Sequence, residues 1–230
     1  MQDRQVYQTQ SHTASAGLDV QAHKVLKNTY LLLSMTLAFS ALCAFAALYV
    51  GIGRGTSLLL SLGSIGLLWF ALPRTQDSAA GIGVVFAFTG MLGASLGPML
   101  AYYLSMANGP ALIMQSLAGT AFVFFGLSGI VLTTKKDFSF LGGFLIVGLL
   151  VAVVCMLLLF AASFFGYSMP GAHLAISAAI MLIMSGFILF DTSRIVHGGE
   201  TNYIRATASM FLNIINLFTS MLHVLGAMDD

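Results

Sequence analysis

The feature that most constrains this chain is a succession of seven long apolar runs separated by short polar breaks. A helix needs ~20 mostly apolar residues to cross ~30 Å of hydrocarbon. Runs of that kind occupy residues 30–50, 56–72, 80–104, 111–133, 139–165, 172–193 and 204–225. The second is short and the fifth long, which predicts tilt or local bilayer thinning. The breaks are Gly51-Ile52-Gly53-Arg54-Gly55, the stretch from Pro73 to Asp77, Asn108-Gly109-Pro110, Lys135-Lys136-Asp137, Met169-Pro170-Gly171 and residues 194–203. Each contains the Gly, Pro or charge that a turn at a membrane surface wants. Backbone groups in lipid must bond within their own segment, so helices are the only reading for runs of this length. The expected fold is therefore an all-α integral membrane protein. A seven-helix bundle over residues 29–228 follows a flexible polar tail over residues 1–28.

Composition excludes the main alternatives. Only 7% of the 230 residues are charged, against roughly 25% in soluble domains, which is too few to cover a water-facing surface. A net charge of +1 gives no case for nucleic acid, which needs clustered Lys and Arg. Cys43 and Cys155 both lie inside apolar runs and read as small buried thiols rather than a disulfide framework or metal box. The tail has no apolar secretory core, so it does not read as a cleavable signal peptide.

Basic residues set the expected orientation. The tail and the second, fourth and sixth loops hold Arg4, Lys24, Lys27, Arg74, Lys135, Lys136, Arg194 and Arg205, leaving only Arg54 for the opposite side. This segregation puts the N-terminus in the cytoplasm and the C-terminus, with Asp229 and Asp230, outside. It also requires an odd number of crossings. Lipid gives helices no hydrophobic reason to associate, so small residues must supply close contact. Gly81, Gly83, Gly90, Gly93 and Gly97 mark the third run, with a hinge at Gly97-Pro98 as the other reading of that end.

The last two runs carry the informative polar atoms. At about 100° per residue, His173, Ser177, Met184 and Asp191 share one face of the sixth helix. On the seventh, Arg205, Ser209, Asn213, Asn216, Ser220 and His223 fall within an arc of about 80°. Polar side chains in hydrocarbon face the bundle interior or water. Two readings stand: interhelical hydrogen-bond glue, at ~0.6 kcal/mol per contact, or a wet functional path. Asp191 is the lone acid within a run. It suits either an ion pair with Arg194 three residues on or a titratable gate near Asn213. His197 and Glu200 read as solvated loop groups.

Catalytic readings fail. The Gly126-Leu127-Ser128-Gly129 string and His173 suggest an intramembrane Ser/His pair, but the expected topology separates them by most of the membrane, and a dyad needs ~3 Å. No lysine follows Lys136, as a retinal Schiff base in the last helix would require, and no H-E-x-x-H, P-loop or dinucleotide string occurs. The chain is not expected to be an enzyme.

Three strings carry a resemblance: the stretch from His23 to Ser40, that from Val131 to Gly143, and that from His197 to Thr207. In these it is similar to bacterial inner-membrane members of the Bax inhibitor (transmembrane Bax-inhibitor motif) family. The resemblance implies a seven-helix bundle with the last helix central. It implies one class of function as a modulator and substrate of the membrane AAA protease FtsH. It implies another as a pH-sensitive calcium or proton leak, gated by an aspartate pair between helices six and seven. Asp191 matches the first aspartate, whereas Asn213 stands where the second would be. An Asp/Asn pair cannot share a proton as two carboxylates do, although an amide oxygen can still ligate calcium. The expected gate or ion path comprises Asp191, Asn213, Asn216, His173, Arg194 and Arg205, with Asp191 and Asn213 as candidate calcium ligands. The other partner is the lipid bilayer.

Overall fold

The computed structural model describes residues 2–167 and 169–229, with side chains from Val20 onward. The expected tail falls largely outside the described side chains. Residues 20–28 belong instead to the first helix, where Val25 is buried in the core. All seven runs form helices long and apolar enough to cross a membrane, and no strand occurs among the described residues. We number them α1 (Gln2–Val50, apolar from Val20), α2 (Arg54–Thr75), α3 (Ala80–Leu104), α4 (Gly109–Thr134), α5 (Leu141–Phe164), α6 (Pro170–Val196) and α7 (Tyr203–Asp229).

The second and fifth spans differ in length from expectation. α2 runs through Pro73 because the turn ahead of it, Leu67–Ala71, widens to a π-turn. A proline ring clashes with the carbonyl four residues back, and the wider turn relieves that clash. α5 is shorter than its apolar run because Asp137 and Ser139 form a turn ahead of it. At Gly97-Pro98, where a hinge is the alternative reading to packing, the helix breaks at Leu96 and Gly97–Leu104 resumes with Pro98 in its first turn, where a missing N–H is harmless.

The last helix is the hub. α7 packs against α1, α3, α4 and α6, and 56% of its most apolar window is buried, against 11% for α5. Ala206, Met210, Phe211, Ile214 and Leu217 carry that contact, and the Phe211 ring meets Phe88 of α3 edge-on. α5 packs on α6 alone among the helices it closely approaches, and its remaining surface is apolar and exposed.

Close approach of α3 to α1 depends on glycine. A Cβ on Gly93 would strike the backbone carbonyl and hydroxyl of Ser40, and one on Gly90 would lie 2.6 Å from Phe39. Gly83 of the same helix faces open space.

Loops 76–79, 135–140 and 197–202 meet at one end of the bundle through side-chain hydrogen bonds. Arg74, Lys135, Lys136, Arg194 and Arg205 flank this basic end. At the opposite end the Asn108 amide donates to Asp229 at 3.1 Å, and Ser57 donates to the Ser95 carbonyl.

Candidate functional site

The site lies on the facing surfaces of α6 and α7, about one and a half turns from the basic end of α6. Asp191 precedes the last residue of α6 by five positions, or ~7.5 Å along the axis. α7 begins after an Asn202 cap, whose Oδ1 accepts from the backbone N–H groups of Ile204 and Arg205. This cap fixes where α7 starts, and so places Ser209 and Asn213 level with Asp191. Asp191 Oδ2 accepts from the Ser209 hydroxyl at 2.6 Å and from the Asn213 amide nitrogen at 2.7 Å. Asp191 and Asn213 are 8% and 5% exposed, so the three groups satisfy one another inside the bundle.

Beside this cluster a cleft of about 400 Å³ opens between α5, α6 and α7. Ser209, Asn213 and Asn216 give it a polar floor, and Leu149, Met184 and Phe187 are among its walls. Asn216 lies one turn beyond Asn213 and donates to the Leu212 carbonyl of its own helix.

Other members of the expected path lie elsewhere. Arg194 does not pair with Asp191: its Nη2 donates to the Gly199 carbonyl at 3.0 Å and lies 3.6 Å from Glu200, and its guanidinium stacks over Phe190. Arg205 is exposed and makes a two-pronged pair with Glu200, at 2.8 and 2.9 Å. Periodicity places an arginine's Cα, but its long stem carries the charge to the nearest interface, and here Glu200 is that destination. Glu200 is accordingly not a solvated loop group, being 6% exposed. His173 is exposed at the far end of α6, eighteen residues before Asp191. Ser128 is buried 3.4 Å from Thr192, so Ser128 and His173 form no dyad. Both cysteines are free.

The donor set does not fit calcium. Calcium takes six to eight oxygen ligands, several of them charged. Here Asn213 turns its NH₂ group to Asp191, and the shared carboxylate oxygen already holds two donors. No group of three His, Cys, Asp or Glu residues among the described residues could hold a metal ion.

Sequence reasoning missed the lock at the basic end. Asn202 Nδ2 donates to the Gln76 carbonyl and to Asp77. The Phe138 N–H donates to Ser193 Oγ, which in turn donates to Asp137. The Ser139 backbone N–H, helped by the Ser193 hydroxyl and nearby His197, holds the Asp137 carboxyl below the usual carboxylate range. One signal was readable: Asn202 directly before a periodic apolar run has the form of a helix cap.

Comparison with known proteins adds relatives. The family model described as "Inhibitor of apoptosis-promoting Bax1" matches residues 22–230. A Vibrio cholerae membrane protein is 50% identical over 220 residues, 96% of either chain. The Escherichia coli K12 protein named "Modulator of FtsH protease YccA" is 49% identical over 207 residues, 90% of this chain and 91% of that one. A Pseudomonas aeruginosa protein is 43% identical over 226 residues, 98% of this chain and 97% of its own.

Proposed function

The chain belongs to the Bax inhibitor family, and on that footing we propose that it is a multi-pass inner-membrane modulator of the protease FtsH. The observation that carries this reading is its near full-length similarity to the E. coli protein whose name states that role. In this reading the end bearing Lys135, Lys136, Arg194 and Arg205 faces the cytoplasm, following the bias of basic residues to that side. The polar N-terminal residues then lie where an ATP-driven protease can grasp them. Co-purification after crosslinking in membranes tests the partner directly. Deleting residues 2–20 should lengthen the lifetime of the protein in cells with active FtsH. No crosslink together with an unchanged half-life would overturn the reading.

A second reading, a proton leak through the interior of α6 and α7, is favoured by one observation: the buried Asp191 is bonded to Ser209 and Asn213, which floor a polar-lined cleft. It predicts pH-dependent flux into liposomes that Asp191→Asn alters. Liposomes silent to proton flux from pH 5 to 8 would end it.

A further inference from the structure

His197 closes the C-terminal turn of α6, and its ring bridges two elements. Nδ1 lies 2.9 Å from the Ser193 carbonyl of its own helix, and Nε2 lies 3.1 Å from the Lys135 carbonyl at the end of α4. Both partners are carbonyl oxygens, which only accept. The Ser193 hydroxyl, 3.4 Å from Nδ1, cannot supply the missing proton, because it is spent on Asp137. A neutral imidazole has one N–H and can make one of these two bonds; the imidazolium makes both.

We propose that His197 is a proton-operated clasp, which when doubly protonated ties the end of α6 to the end of α4 and on losing one proton keeps the shorter bond within its own helix and releases the one to α4. The charges around it fit that role. From the α4–α5 loop, Asp137 lies close enough to interact with the ring electrostatically. Lys135 and Lys136 of that loop are exposed, and Lys135 presents its carbonyl from a left-handed backbone conformation, φ 50°. On α6, Arg194 is turned away over Phe190 and onto the Gly199 carbonyl. From the α6–α7 turn, Glu200 is engaged by Arg205 and Arg194. Asp137 is thus the acid left to balance the ring. The clasp acts on a short lever: Ser193 bonds the α4–α5 loop through Asp137 and Phe138, and Asp191 lies two residues before it. Imidazole is the side chain that changes charge between about pH 5 and 8, so the connection tightens on acidification.

Hydrogen exchange of the full chain in nanodiscs, followed by mass spectrometry at pH 5.5 and 8.5 and scaled for intrinsic rates, tests this. Residues 135–140 should exchange roughly tenfold faster at pH 8.5, the factor for one hydrogen bond to a charged group. Asp137 stays ionised across that window, since its carboxyl is held low, and does not contribute. In His197→Gln the pH difference should vanish. A wild type without the difference, or a variant that keeps it, overturns the proposal. Nitrogen NMR of ¹⁵N-histidine in the unsubstituted protein is independent of how the variant folds. It should report a doubly protonated His197 ring at pH 5.5, and a neutral ring there would equally overturn the clasp.

Discussion

Asp191 has its hydrogen-bonding needs met from one direction. Ser209 and Asn213, both on α7, donate to the same carboxylate oxygen, so the residue fastens two helices at one point. Removing it leaves the buried Asn213 amide and the half-buried Ser209 hydroxyl without an acceptor, which costs ~1–3 kcal/mol. Asp191→Ala should therefore lower the unfolding midpoint in detergent clearly, and Asp191→Asn, which keeps an acceptor oxygen, should lower it less. Equal midpoints for all three proteins would show that the bonds do not hold the bundle. Glu200 is a second test at this scale. Its partners are partly exposed, which screens the pairing, so Glu200→Ala should cost only about 1 kcal/mol and should loosen residues 197–202 in hydrogen exchange. The sequence made Asp191 and Asn213 legible because angular position and depth follow from helix geometry alone. It could not reveal the partners of Arg194 and Arg205, because Glu200 reaches them only when the α6–α7 turn folds back on both helices.

At the scale of the helices, span length is legible because the bilayer dictates it, and spacing of small residues shows that some helix must come close to another. Which glycine makes the contact is not legible, since that depends on how α3 rotates against α1. Two positions on α3 separate the cases. A methyl group on Gly93 meets the Ser40 backbone, whereas one on Gly83 meets nothing. Gly93→Ala should cost ~1–3 kcal/mol through overpacking, while Gly83→Ala should be neutral or slightly stabilising through helix propensity. Paired thermal melts read the difference, and equal effects would place the α1–α3 contact elsewhere. The widened turn before Pro73 belongs to the same class of features hidden from periodicity, because a proline announces trouble without saying which turn absorbs it.

For the whole molecule, the alternation of charged and neutral ends follows from the order of the helices, and the three loops at the basic end are joined to one another as that order requires. The prediction at this scale is sidedness. Alkaline phosphatase fused after the last residue should be active, and a green fluorescent protein fused there should be dark. The reverse pattern would place the Asp191 cluster near the other face of the membrane and would remove the physical basis for protease access to the N-terminal residues.

The position of α7 at the centre has a consequence for biogenesis. The ribosome makes this helix after the other six, so the earlier helices must wait in the bilayer around a space that their common neighbour has yet to fill. A nascent chain stalled before Tyr203 leaves Asp191 without either donor and Phe88 without its ring partner. Such an intermediate is polar where lipid expects oil.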